Sequence, residues 1–571
     1  MEGVRAQRGP ARGGRALARA ICTAVLAMAV TACGTTAQAT AGPRPLASVR
    51  SFAAVLKAAQ DLGPVSPTTS LMVDLTLRQQ GSSASQHQAA AIYDPASPSY
   101  GHYLTSQQYD ALFGLKPARI EAVRRSLAAD GISLGWSDGS MGITLTGVAS
   151  AFDHAFGIKV DSFRDARGHQ FWASRTAPAL PSNLVGIAWP LDRFTDWSPP
   201  LVKDAVHAGG VRPQDLEAAY DTSGLRNQGI DGSGETVVVY ALGDDIEQSD
   251  LDAFNKEFGL PAITPRIIGP SSQEQGEAIM DVSAIHAIAP GAKIILYTKP
   301  VNTNQDLVNI EQDMVNQNQG AILSQSWGGC EQGMGSQLAQ FFQQLSQKAD
   351  SLGESAFFAT GDNGGYDCLQ PGDYPTQSAV GPVLPATAPG FTAVGGTRLE
   401  LSANGGYYDE QGWKGLADAS GGGGGVSGYY AKPSWQIGQG VNNQYDTNNM
   451  REVPDVAALG DPTSGMSLVV QGQQAEIGGT SLATPVWAGF TALIDQYLQK
   501  NGQKPAGFIN PALYAIAAGS PPYPAFHDVT EGGNDVYPAT TGYDLSTGLG
   551  TPDVYNLARD ILTYEQNGGH V

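Results

Sequence analysis

The chain has 571 residues, 42% of them hydrophobic and only 15% charged, so it is globular and has room for two or three domains. Its net charge is −21, and residues 1–50 hold seven arginines against one glutamate, which leaves about −27 for the remainder. Such a body excludes nucleic acid and anionic membranes as partners, and an acidic, lysine-poor surface suits a low-pH habitat, where protonation relieves its self-repulsion.

Five arginines (Arg5, Arg8, Arg12, Arg15, Arg19) precede the short apolar run "AICTAVLAMAVTAC", the layout of an export signal over residues 1–39. Two processing readings compete. "VTAC" ending at Cys33 resembles a bacterial lipobox and would leave a lipid anchor on Cys33, whereas "AQA" at 37–39 suits ordinary cleavage and free secretion. Either places the chain outside the cell, secreted or held at a bacterial cell surface. Beyond this region only Cys330 and Cys368 remain, and a lone pair in an exported protein points to one disulfide.

Residues 46–195 mix strand patterns ("SLMVDLTL", "MGITLTG") with helical ones ("SQQYDALFG", "ARIEAVRRSLAADG"), an α+β unit. Residues 196–212 are marked by proline and glycine without periodicity and read as a linker. From 213 to about 565, the runs "TVVVYAL", "KIILYTK", "AILSQSW", "SAFFATG", "FTAVGGT" and "SLVVQG" alternate with helical segments. Continuous apolar strands of this kind indicate a parallel sheet covered on both faces. The glycine run at 421–425 is either a flexible connection or a place where another segment passes close to the backbone.

Four local patterns carry chemistry. In "IGGTSLATPVWAG" a glycine turn leads into a long helix, with Ser481 at its start and Pro485 in or next to the first turn. Ser481 reads as a nucleophile or as a plain N-cap. In "GEAIMDVSAIHAIAPGA" Glu277 and Asp281 stand at i and i+4 on one helix face, while His286, nine residues past Glu277, is turned by about 900° to the opposite face. A carboxylate pair shares a proton and can serve a serine as base in acid, where histidine is already protonated; the alternative is a solvated helix face. Asp362 ends the apolar strand "SAFFATG" at the C-terminal edge of the sheet, where it could donate to an oxyanion when protonated or merely hold a turn. The Gly-rich stretch 527–552 offers Asp528 and Asp544 with carbonyls between them, an oxygen cage suited to Ca²⁺ or a set of ordinary turn aspartates.

Together, and in order, these motifs and "VPDVAALGDP", "GGGVSGYYAKPSWQ" and "DVTEGGN…GYDLSTGLGTP" resemble the sedolisin family of serine-carboxyl peptidases, kumamolisin-like members above all, over nearly the whole exported chain. The resemblance implies an α/β, subtilisin-like parallel-sheet catalytic domain preceded by an α+β, ferredoxin-like activation prodomain. It implies Ser481 as nucleophile, Glu277 as general base, Asp281 as the residue that tunes it, and Asp362 as the oxyanion donor. It also implies one calcium ion held by Asp528, Asp544 and the carbonyls of Val529, Thr540 and Gly542. The expected activity is acid endopeptidase action on proteins and peptides, with tripeptidyl release as the nearer alternative and a binding-only surface protein or a neutral His286 hydrolase as the remoter ones. The prodomain would act as an intramolecular inhibitor, cut away within about 190–212 as carboxylates at its interface protonate, and the default oligomeric state is a monomer.

Overall fold

The computed structural model describes residues 52–570, apart from 138, 166–167, 198–205, 208–209, 271–275, 302, 370–378, 404 and 416–419. The export segment with Cys33 and part of the linker lie outside the described residues.

In the N-terminal unit, strand Ser70–Thr76 pairs antiparallel with Gly142–Val148, which also pairs with Ser133–Gly135. Alternation along the first strand sends Leu71, Val73 and Leu75 inward. Helix Pro117–Ala129 buries Ile120, Val123 and Leu127, and helix Ala149–Phe156 buries Phe152 and Phe156 against the same core. Helix Ser106–Phe113 starts where the sequence places it because Thr105 and Gln108 form a capping box. The β-α-β-β-α-β succession is the ferredoxin-like one. Its last strand, Val160–Arg164, lies in a second three-stranded sheet between Gln60–Pro64 and Gln170–Ser174.

The larger unit is built on an eight-stranded sheet. Its strands run in the order Tyr407–Gly412, Thr392–Leu401, Ser355–Ala359, Ile322–Gln325, Thr236–Tyr240, Lys293–Tyr297 and Arg266–Ile268, with Val456–Leu459 also paired to Thr392–Leu401. All pairs are parallel except that of the edge strand Tyr407–Gly412. Because both faces are covered, adjacent residues feed different cores. Val237 and Val239 pack with helices Glu277–Ile288 and Thr480–Lys500, whereas Val238 and Tyr240 pack with helices Asn304–Gln317 and Glu331–Leu352.

Two sequence expectations change. "SLVVQG" is not in this sheet: Met466–Val470 forms an antiparallel hairpin with Gln473–Ile477, and Val206–His207 from the expected linker adds a third strand to it. The glycine run at 421–425 takes the second of its two readings. A Cβ on Gly423 would sit 1.9 Å from the Thr360 carbonyl oxygen, and one on Gly424 would sit 2.0 Å from that of Leu545. The expected disulfide joins Cys330 and Cys368, which follow the neighbouring parallel strands Ile322–Gln325 and Ser355–Ala359.

The N-terminal unit lies against helix Glu331–Leu352. Thr76 donates its N–H to Gln337 Oε1 and its hydroxyl to the Gln337 carbonyl, both at 2.8 Å, and buried Lys348 pairs with Asp110 at 2.6 Å. At Gly335, whose φ of 85° kinks the helix, a Cβ would meet the Arg193 guanidinium at 2.7 Å, and that guanidinium donates to the Met334 carbonyl.

One carboxyl of the N-terminal unit has a definite pH response. Burial, with the charge of Asp306 added, pushes the Asp74 carboxyl up to about 7, against a hydrogen bond from Thr144. A carboxyl raised in the folded state is no burden below its unfolded value of 3.8 and costs stability as pH climbs from there through about 7. Asp74 therefore favours the folded state in acid, opposite to the expected weakening. Asp74→Asn is expected to stabilise the full chain by on the order of 2 kcal/mol at pH 7.5 and to have no effect at pH 4, measured by urea unfolding.

Candidate active site

Strand ends and helix starts converge at the C-terminal edge of the parallel sheet. Asp244 follows Thr236–Tyr240, Ser326 follows Ile322–Gln325, Asp362 follows Ser355–Ala359, and Glu277 and Ser481 open their helices. This is where open α/β sheets hold ligands, because strand ends and helix N-termini leave backbone donors pointing into one crevice.

The helix Glu277–Ile288 is buried along its length after Glu277, which is half-buried. The solvated-face reading fails: Asp281 is 0% exposed. Burial, then the charge of Glu277 and that of Asp244, push the Asp281 carboxyl well above its usual range, and a hydrogen bond with Ser326 opposes them. The helix has no side-chain cap from Gly276; instead Asp244 Oδ2 accepts the Ala278 N–H at 3.0 Å.

Ser481 is the second residue of helix Thr480–Lys500, entered through Gly479 at φ 108°, a left-handed turn that glycine permits. Pro485 lies in the second turn rather than the first. It removes the N–H that would bond the Ser481 carbonyl, and the Ser326 hydroxyl stands in, 3.1 Å from that oxygen. The same hydroxyl lies 2.7 Å from Asp281 Oδ1. One hydroxyl proton cannot serve two acceptors fully, whereas a protonated Asp281 donates to Ser326 Oγ and frees the Ser326 proton for the Ser481 carbonyl. The raised Asp281 carboxyl agrees with that arrangement. Ser481 Oγ donates to the Ser326 carbonyl at 2.9 Å, so in this state the nucleophile candidate rests on the neighbouring strand end and not on a carboxylate.

Asp362 is anchored beside it. Asp362 Oδ1 accepts the Thr480 N–H at 2.7 Å and the Thr480 hydroxyl at 2.9 Å. His286 is elsewhere: its Nε2 bonds the Pro261 carbonyl at 2.7 Å, and burial holds its pKa low. His527 is stacked on Tyr407 with ring centres 3.9 Å apart. Neither histidine serves Ser481.

Ser326, Asp244 and Thr480 join the site without having been expected from the sequence. Each has a local signal, a polar residue directly after an apolar strand or beside the candidate serine, but such residues also fill ordinary turns.

In the C-terminal loop, Asp528 accepts the Gly542 N–H with both carboxylate oxygens at 3.1 and 3.0 Å, and Asp544 accepts the N–H groups of Thr540, Ser546 and Thr547 at 2.8–2.9 Å. Burial pushes Asp544 up to about 6. Among the described residues no cluster of three or more histidine, cysteine or acidic side chains could hold a metal, so any ion here depends on carbonyls. Asp528 and Asp544 offer oxygen donors, the ligand type a hard cation takes.

A subtilisin-like sheet with a serine at a helix start, a buried aspartate linked through Ser326 to that serine's backbone and a preceding α+β unit define a serine-type peptidase with an activation prodomain. Comparisons agree. A family model described as Pro-kumamolisin, activation domain, matches residues 57–188, and one described as Subtilase family matches 267–509. Kumamolisin of Bacillus sp. (strain MN-32) is 29% identical over 542 residues, 88% of this chain and 94% of that protein. Tripeptidyl-peptidase 1 of Rattus norvegicus is 26% identical over 554 residues, 88% of this chain and 93% of that protein. The solved structure of Pseudomonas sedolisin, a serine-carboxyl proteinase complexed with two molecules of pseudo-iodotyrostatin, matches with a TM-score of 0.54 and 27% identity, over 63% of this chain and 100% of that one. In these comparisons the chain is similar to the sedolisin family, kumamolisin-like members among them.

Ser326→Ala removes the only hydroxyl that links Asp281 to the Ser481 backbone among the described residues. It is expected to lower kcat/KM at least tenfold and stability by about 1–2 kcal/mol. Peptide kinetics and urea unfolding on the same preparation check both; an unchanged kcat/KM would show that the link does not matter to turnover.

Proposed function

We propose that the protein is an exported, acid-active endopeptidase made as a self-processing zymogen. The observation that carries this is buried Asp281, one helical turn from Glu277 and tied through the Ser326 hydroxyl to the Ser481 backbone carbonyl, with His286 bound to a carbonyl elsewhere. Glu277, the ionised member of the pair, takes the Ser481 proton once the hydroxyl swings off the Ser326 carbonyl. Ser481 Oγ bonds to the substrate carbonyl carbon. Protonated Asp362 donates to the oxygen that becomes negative, and Glu277 returns its proton to the leaving amine as the peptide bond breaks. Water, deprotonated by Glu277, then hydrolyses the acyl-enzyme. Asp281, kept neutral by burial, holds Glu277 as the charged partner.

We assign residues 46–195 to the prodomain, 196–212 to the linker cut during maturation, and 213–565 to the catalytic domain. The export reading rests on residues 1–39, with Cys33 as the site of a lipid anchor if the lipobox is used. Monomeric action on proteins and peptides completes the proposal. Release of tripeptides from free N-termini is the second reading, favoured by the similarity to tripeptidyl-peptidase 1.

The pH sign follows from the groups. A carboxylate base is lost as pH falls and it protonates; a carboxyl that must donate is lost as pH rises and it ionises. Activity of the protein without its export segment, pre-incubated in acid, is expected to peak at about pH 3–5 on an unfolded protein substrate. A peak near neutrality would return the base to a histidine. Ser481→Ala is expected to leave the prodomain attached, and Glu277→Gln to lower kcat by about 10³-fold or more; self-processing by the first would refute the nucleophile, and near-normal turnover by the second would refute the base. Internal cuts in the digest separate endopeptidase action from tripeptide release.

Asp528, Asp544 and the carbonyls of Val529, Thr540 and Gly542 would hold one calcium ion, whose contribution is to clamp the C-terminal loop. Excess calcium over a chelator is expected to raise the unfolding temperature by about 5 °C, and Asp544→Asn to abolish that difference.

A further inference from the structure

The crevice beside Ser481 contains one small cavity. Its lining includes Ser481 and Asp362 together with Trp327, Gly328, Ala359 and Val383. Because it abuts both the attacking hydroxyl and the oxyanion carboxyl, the side chain on the acyl side of the scissile bond is the part of a substrate that reaches it. Its volume is about 10 Å³, which is the space of about one water.

The wall formed by Gly328 and Val383 is closed by a particular contact. A Cβ built on Gly328 would lie 2.1 Å from Val383 Cγ1 and 2.9 Å from the Leu384 carbonyl oxygen. The Val383 methyl therefore packs directly over the Gly328 α-carbon within the lining of this cavity, where it limits the room for a longer substrate side chain.

That wall is held from several directions. Gly329 pairs with Leu384 and Cys330 with Val383 in a short antiparallel ladder. The Glu331 N–H donates to the Pro382 carbonyl at 3.0 Å, and Cys330 is joined to Cys368. Val383 is 1% exposed, and Trp327 is 3% exposed with its ring packed edge-on to Tyr240. Retreat of Val383 would break backbone pairing, so the pocket resists widening more than one lined by a mobile loop.

We propose that Val383 is a specificity-determining residue that restricts cleavage to bonds whose acyl-side residue is glycine, alanine or serine. The inference rests on the peptidase reading and deepens it by naming the substrate class. Discrimination in closed apolar pockets amounts to roughly 10–200-fold per methylene of misfit.

The test uses acid-activated protein and a set of peptides identical except for glycine, alanine, serine, leucine or phenylalanine at the acyl-side position. Expected is a kcat/KM for alanine about 100-fold or more above those for leucine and phenylalanine. Val383→Ala is expected to narrow that ratio at least tenfold by gain on leucine. Cut sites of the unaltered protein on a denatured protein, read by mass spectrometry, test the same point without a variant: cuts confined to small residues support the inference, and cuts after large residues in proportion to their abundance overturn it. Equal kcat/KM for alanine and phenylalanine also overturns it while leaving the peptidase reading standing. Hydrolysis of no peptide and no protein at any pH overturns that reading and this inference with it.

Discussion

The site is organised around one buried carboxyl that burial disfavours in its ionised form. Asp281 is fully enclosed, within the field of Glu277 and Asp244, and an ionised carboxylate there would cost several kcal/mol. Protonation removes most of that cost and turns Asp281 from acceptor to donor. Its proton then fits Ser326, and the Ser326 proton fits the carbonyl that Pro485 leaves without a helical partner. A carbonyl stripped of its helical donor by a proline and a carboxyl whose pKa burial raises meet at the same hydroxyl, that of Ser326.

That chain of contacts requires two helices to run close together. Gly489 on the serine helix makes this possible, since a Cβ there would lie 2.9 Å from Ile288 Cβ on the carboxylate helix. Around this approach Ala278, Ile279, Val282 and Ile285 pack in one core with Leu482, Val486 and Phe490. Hydrophobic burial thus sets the distance at which the polar contacts operate, and the polar contacts fix the register. Asp362 is held by Thr480, the residue just before the nucleophile candidate, so both halves of the site are referenced to one helix start.

The N-terminal unit engages the same architecture from the other face of the sheet, on the kinked helix Glu331–Leu352 that leaves the cleft strand at Cys330. Arg193 sits at the kink, and Lys348 is buried against Asp110. With Asp74 favouring the folded state in acid, protonation of carboxylates is not by itself a simple release signal.

Much was legible in the sequence because it was local. Apolar β-branched runs of five or so residues state that a strand is covered on both faces, and helix spacing places Glu277 with Asp281 and away from His286. The ordered motifs carried the family and, through it, the two-domain fold. What failed was what depends on partners distant in the chain. "SLVVQG" has the composition of a central strand, yet Gln471 and Gly472 both take positive φ, a two-residue reversal that makes a hairpin instead. Pairing of Val206–His207 onto it is invisible in a segment without periodicity. Ser326 looked like the polar end of a strand until folding set it between Asp281 and the Ser481 carbonyl, contacts that span 45 and 155 residues. Which elements form, and which residue types stand at their ends, is written in the chain itself, since propensity and periodicity act within a few residues. Which of those ends meet, which carboxyl is buried enough to keep its proton, and how little room Val383 leaves beside the serine are settled by folding alone, because burial and close approach are properties of the packed chain.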